Sequence, residues 1–379
     1  MKLVLDPAQA MLAKTAHDFT HQHEPVERLR ALRDSKDELG FTPDVWNAMA
    51  DLGWTGIPFA EQHGGLDMGM AEAVLITESM GQTLAPEPFI SAVIFSGSLI
   101  DALGTDEQKQ AWLATTIDGS KRVAVAHHDA GTRFDPFLCT TTAEQNGDGW
   151  TLTGSKAHVI DGFGADAWIV SARTSGGNRE QHGLSLFLVT AGTSGANCTR
   201  QWRVDSRNAA ALELSGAQAE LLGTVDAGAE ALENAIDRAT VALCGEMLGI
   251  VRESFERTVE YLKTREQFGA KIGSFQALQH RAAEMFVEIE LCKSVVMAAA
   301  RTLDEGADPA TTIAQVSNAK ARCSDTVILV ANEALQMHGG VGMTDEYDIG
   351  LFMKRARVCE LTFGDAAYHR RRFASVRGF

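Results

Sequence analysis

A lone carboxylate on an apolar helix is the first place to look for proton chemistry. Over residues 239–251 the sequence reads ATVALCGEMLGIV, and Glu246 is its only charge. Desolvation by such neighbours disfavours the ionised form and raises the pKa, which suits a general base near neutral pH. A core glutamate paired with an arginine from another helix fits the same pattern, and the sequence leaves both open. The segment TREQFGAKIGSFQ, 264–276, is the second feature. There Arg265 can pair with a phosphate and Phe268 can stack on a planar ring, although an ordinary helix end with a capping arginine looks the same. The third is QMHGGVGMTDEY, 336–347, with Gly339, Gly340 and Gly342 within four residues at a helix C-terminus. Backbone without Cβ approaches a ligand closely and turns its N–H groups to a phosphate; a tight turn between helices has the same glycines.

The elements that must position these residues change type twice along the chain. Residues 1–118 read as helices. Asp6 caps the first, with Pro7 at its first position. Thr42, Pro43 and Asp44 open another that stops at Gly53, and MAEAVLITESMGQTLAP is helical until Pro86. In GTDEQKQAWL, Gly104 and Thr105 supply a break and a cap. Between 119 and 228, alternation in GWTLTGSKAHVI, DAWIVSAR and LSLFLV predicts short strands, hence a small β-barrel or sandwich. From 229 to 379 three long apolar helices predict a bundle, the first of them more than 30 residues long by its unbroken pattern. The expectation is an α+β multidomain protein cut near 118 and 228.

Composition bounds the function. A chain of 379 residues holds two or three domains at roughly 100–200 residues each. Lys plus Arg is 34 against 50 for Asp plus Glu, a net charge of −16. That argues against a nucleic-acid-binding face and a polybasic membrane anchor, but says nothing of a local pocket. The apolar stretch at 89–100 is well short of the roughly 20 residues that span a bilayer, and the N-terminus does not read as a secretory signal. The six cysteines form no CxxC pair, so no metal or redox motif is expected. Reduced thiols in a cytoplasmic protein are the expectation.

Together these segments resemble the acyl-CoA dehydrogenase family, most specifically in TREQFGAKIGSFQALQHR and QMHGGVGMTDEYDIGLFMKRARV. The resemblance covers nearly the whole chain. It implies an N-terminal helical domain (1–118), a middle β-barrel domain (119–228) and a C-terminal four-helix bundle (229–379). It also implies flavin adenine dinucleotide (FAD), removal of two hydrogens across Cα–Cβ of an acyl-CoA thioester, and an electron-transfer flavoprotein as acceptor. By resemblance, Arg265, Phe268, Gln276, Gln336, Gly339 and Gly340 contact the adenosine-diphosphate part of a flavin held mainly by a neighbouring subunit. His127, His128, Thr132, His158 and Ile160 match flavin-lining positions of the middle domain. There the family's Thr-Glu-Pro pattern is His127, His128, Asp129.

The departures concern the base. Family members carry a catalytic glutamate directly before a Gly-Thr pair or on the long helix. The matching positions here are Phe363, followed by Gly364 and Asp365, and Ala239, followed by Thr240. Neither side chain takes a proton. Glu246 lies about two turns beyond Ala239, displaced by ~10.5 Å, and Asp365 two residues past Phe363; these are the two candidate bases. ALCGEMLG and LTFGDAAYHRRR are similar to the small-subunit type that pairs with a second acyl-CoA dehydrogenase subunit in pimeloyl-CoA and steroid side-chain degradation. Two expectations follow: a dehydrogenase of a bulky, dicarboxylic or steroid-derived acyl-CoA, or a non-catalytic subunit of a heteromer.

Overall fold

A computed structural model describes residues 4–147 and 149–379. The first helices are α1 (Pro7–His23), α2 (Val26–Asp34), α3 (Pro43–Asp51) and α4 (Met70–Thr83). The Asp6 carboxylate accepts from Gln9 N–H, and the Gln9 side chain answers in a capping box. After Pro88 the apolar stretch winds as a π-helix, Phe89–Gly97, running into α5 (Ser98–Leu103). Apolar periodicity signals a helix there but not its wider winding. The short α6 (Asp106–Gln108) starts from a Thr105 capping box, and α7 (Ala114–Ile117) closes the segment.

Seven strands follow: β1 (Val123–Ala126), β2 (Thr142–Asn146), β3 (Gly149–Ile160), β4 (Ala167–Arg173), β5 (Leu184–Thr190), β6 (Ala196–Arg200) and β7 (Ala209–Leu222). They pair in the order β1-β4-β2-β3-β7-β5, with β6 alongside β7, and β5 returns to β4, which closes a ring. Closure removes the exposed edges of an open sheet. Leu152, Trp168, Phe187 and Leu212 fill the interior, and β4 is buried along its whole length.

The long helix α8 (Ala229–Thr264) leads into a two-residue hairpin, β8 (Glu266–Gln267) and β9 (Ala270–Lys271). Then come α9 (Gln276–Asp304), α10 (Pro309–His338), a 3-10 turn at Gly339–Met343, α11 (Ile349–Leu361) and α12 (Ala366–Arg377). The chain divides into two compact units. One comprises Met1–Arg30, Gly69–Ala85 and Thr240–Phe379, the other Ala31–Met68 and Pro86–Ala239. In the first unit, glycines let α4 lie directly on α8. A Cβ at Gly81 would stand 2.1 Å from the Glu246 carbonyl oxygen, and one at Gly249 would stand 1.9 Å from that of Glu78. Among the described residues, no helix is long and apolar enough to cross a membrane, no cluster of His, Cys, Asp or Glu could hold a metal, and all six cysteines are free.

Candidate active site

Glu246 sits on the stretch of α8 that the glycine contacts press against α4, and it is buried. Arg355 of α11 reaches it with a two-pronged ion pair. Nε donates to Oε1 at 2.7 Å and Nη2 to Oε2 at 2.7 Å. Both oxygens therefore receive charge-assisted hydrogen bonds, an arrangement that stabilises the carboxylate and opposes proton uptake. Periodicity marks Glu246 but not Arg355, which lies inside the basic run KRARV with nothing to distinguish it from its neighbours.

Asp365, the other candidate, is the N-cap of α12, its Oδ1 accepting from Tyr368 N–H at 2.7 Å. Ala239 and Phe363, which the sequence resemblance matches to the family's base positions, are apolar and buried. Phe363 adopts a φ of +58°, and His369 Nε2 lies 2.9 Å from its carbonyl oxygen. That carbonyl can only accept, so Nε2 carries the proton. Lys320, wholly buried, donates to the carbonyls of Gly364 at 2.8 Å and Glu360 at 2.9 Å. The turn is thus firmly built, without an ionisable side chain at 363.

The residues expected at the diphosphate of a flavin lie in the same unit and are exposed. Arg265 and Gln276 flank the hairpin, and Phe268 at its tip is 94% exposed with a φ of +57°. The ring of Phe275 meets that of Phe268 edge-on at 6.4 Å between centroids. Gln336, Gly339 and Gly340 are exposed at the end of α10. A Cβ on either glycine would meet nothing in this chain within 4 Å, so the backbone there is open to an outside group. A cation, two amides, an aromatic face and bare backbone are the donor set an adenosine diphosphate requires, and these residues fit it.

The middle-domain positions are different. His127 is buried, its ring edge-on to Phe95 at 5.3 Å and 4.0 Å from the ring of His128. Burial holds its pKa well below the ordinary value. Burial, with the Lys156 charge adding, brings His128 down to about 4. Thr132 is spent within its own turn, its hydroxyl donating to the Asp129 carbonyl at 2.9 Å. His158 is exposed at an irregularity of β3 with φ +55°, its N–H donating to Gln201 Oε1 at 3.3 Å. Ile160 ends the same strand. Beneath the histidines, Asp129 and Lys156 form a buried ion pair. Asp129 also accepts from Thr140 and Thr141, while the ammonium reaches Ser171 Oγ at 3.1 Å and Cys139 Sγ at 3.5 Å. Burial alone would raise the Asp129 pKa, but Lys156 and the Thr140 donors outweigh it and hold it below the ordinary range. The alternation of β3 points to burial at 156, yet nothing in the sequence pairs that lysine with Asp129.

Three domain models of one family match in series: acyl-CoA dehydrogenase N-terminal domain at 6–120, middle domain at 123–216 and C-terminal domain at 226–376. The mitochondrial isovaleryl-CoA dehydrogenase of Pongo abelii is 27% identical over 376 residues, covering 97% of this chain and 88% of that protein. A variant of the Tcur3481-Tcur3483 steroid ACAD is 30% identical, with a TM-score of 0.87 and 98% of each chain covered. The ChsE4-ChsE5 complex from Mycobacterium tuberculosis contains a chain 26% identical, with a TM-score of 0.89 over 100% of this chain and 99% of that one. With the helical, barrel and bundle segments in the same order, this chain belongs to the acyl-CoA dehydrogenase family of oxidoreductases.

Proposed function

We propose that this chain is one subunit of a heteromeric, cytoplasmic acyl-CoA dehydrogenase, in which a second acyl-CoA dehydrogenase subunit supplies the base. The pair would introduce a Cα–Cβ double bond into a bulky, steroid-derived or dicarboxylic acyl-CoA and hand electrons to an electron-transfer flavoprotein. One observation carries the reading: Glu246 is locked to Arg355 and Asp365 caps a helix, while the positions that the resemblance matches to the family's base hold Ala239 and Phe363. Bound FAD would accept the hydride leaving Cβ. This chain's part is to bind: Arg265 and the amides of Gln276 and Gln336 would meet the diphosphate, Phe268 would stack on a ring, and Gly339 and Gly340 would bring backbone N–H groups close. The known heteromeric and steroid-acting likenesses favour a partnered enzyme with a bulky substrate. The middle-domain position Thr132 would serve as a wall rather than as a hydrogen-bonding group, since its hydroxyl is engaged within the unit, and His127 would do so as a buried ring packed against Phe95 and His128; His158 remains exposed for a ligand.

The test is to purify the chain alone and co-expressed with a neighbouring dehydrogenase gene product, then follow flavin bleaching with short-chain, dicarboxylic and steroid side-chain acyl-CoAs. The chain alone should not bleach, and the pair should. Robust turnover by the lone chain overturns the reading, and loss of that turnover in Glu246→Gln or Asp365→Asn would identify the base.

A further inference from the structure

The glycine turn after α10 is unusual in being exposed and yet braced from behind. From 339 to 346 every residue except Gly342 is exposed. An exposed segment of this kind normally samples many conformations, and ordering it on a ligand opposes binding. Here the underside is held by side chains of the same unit. His338, buried at the last position of α10, has Nδ1 2.7 Å from the Ala334 carbonyl oxygen. A carbonyl can only accept, so Nδ1 carries the proton and Nε2 is a bare acceptor. Nε2 stands 3.1 Å from the Tyr347 hydroxyl, which must then be the donor. Tyr261 of α8 lies over the His338 ring at 4.5 Å and 30°. At the far end of the turn, Asp348 accepts from Arg30 at 2.7 Å and from Arg257 at 3.0 Å.

We propose that His338 and Tyr347 are positioning residues that preset the Gly339–Met343 turn, so that its backbone N–H groups meet a diphosphate without further ordering. The inference rests on the reading that this turn contacts the adenosine diphosphate of FAD. Each residue acts from behind the turn, and neither touches the ligand. The Tyr347 hydroxyl fastens the descending limb of the turn to α10. The imidazole keeps one tautomer because its other nitrogen is held by the helix it terminates.

The test measures equilibrium FAD binding by the purified full-length chain, in the assembly it forms, by flavin fluorescence, with ADP as competitor. Thermal unfolding of the FAD-free protein is recorded for each variant. Tyr347→Phe removes a single hydroxyl and should weaken FAD and ADP about three- to tenfold, as for one lost hydrogen bond. Its FAD-free unfolding temperature should stay near that of the unmodified chain. His338→Phe keeps a ring for Tyr261 but loses both hydrogen bonds, and should weaken binding further. Gly340→Val adds bulk where this chain has open space. It should leave the fold intact and abolish binding. If Gly340→Val binds FAD normally, the turn is not a diphosphate site and the underlying reading falls. If Gly340→Val loses FAD while Tyr347→Phe and His338→Phe bind as the unmodified chain does, the positioning role falls alone. A loss of binding that only tracks a lowered unfolding temperature also overturns it, since that is what a purely structural residue gives.

Discussion

Two sets of residues that the family resemblance assigns to the same cofactor stand in opposite physical states. In the helical unit, Arg265, Phe268, Gln276, Gln336, Gly339 and Gly340 are all exposed, and Phe268 projects from a hairpin tip. In the barrel-bearing unit, His127 and Thr132 are buried, the first packed against the rings of Phe95 and His128 and the second hydrogen-bonded within its own turn, above an ion pair that is itself enclosed. The first set contributes little to holding its own unit together and is poised for something outside the chain. The buried pair, His127 and Thr132, is part of what holds its unit together, whereas His158 of the same set is exposed like the first. A residue's place in a family pattern therefore does not reveal whether it is spent on folding or kept for a ligand; burial and partners do.

The sharpest way to break that contrast is at Lys156. Its ammonium is wholly buried and neutralises Asp129. Lys156→Met leaves a carboxylate enclosed without its counter-charge, which typically costs about 3–5 kcal/mol. Denaturant unfolding should show the loss. A change below about 1 kcal/mol would mean that the threonine donors alone satisfy Asp129, and that the barrel unit does not depend on this pair.

The next effect separates folding from chemistry at Glu246. Arg355→Ala should lose about 3 kcal/mol because it strands a buried carboxylate. Glu246→Gln keeps hydrogen-bonding atoms and should cost less, with turnover per folded heteromer unchanged. A fall in turnover without a fall in stability would restore Glu246 as the base.

Acid stability gives a third handle. His128 is brought to about 4 and His369 to about 3 in the folded chain, both chiefly by burial, against an ordinary 6.5. Between those values and 6.5 the unfolded chain binds more protons, so these groups stabilise above pH 6.5. That stability is lost as pH falls, at about 1.4 kcal/mol per pH unit for each histidine. Replacing His128 with Phe should flatten the stability–pH curve between pH 6.5 and 4 by about one proton. An unchanged slope would show that His128 is already protonated when folded.

What was legible in the sequence follows the range of the signal. Asp6, Thr105 and the long apolar period of α8 report on neighbours within a few residues, and the helices and caps appear there. The chain breaks after α8 and after α10 were legible because their glycines signal locally, though the β8–β9 hairpin itself was not. Glu246 was marked by its apolar surroundings, but the choice between base and ion pair lay 109 residues away at Arg355. The same holds for Asp129 with Lys156, where a bulge in β3 and a loop bring the two together. The winding of Phe89–Gly97 stayed hidden because a π-helix keeps the apolar composition of an α-helix and changes only its turn.

The smallest stability effect is the most informative about the exposed set. Arg265 makes no side-chain hydrogen bond or ion pair among the described residues, and Phe268 meets only the edge of Phe275. Surface positions of this kind shift stability by no more than about 0.5 kcal/mol when changed. Arg265→Ala and Phe268→Ala should therefore unfold at the denaturant midpoint of the unmodified chain. If these residues are kept for the diphosphate end of a flavin, the same variants should lose FAD. Arg265→Lys should recover only part of that binding, because an ammonium replaces a planar fork. Stability and ligand affinity would then part company at the hairpin while they move together at Lys156. Should Phe268→Ala instead destabilise the FAD-free chain by more than about 1 kcal/mol, the hairpin would belong with the barrel histidines, as a piece of structure rather than a surface held ready for a partner's cofactor.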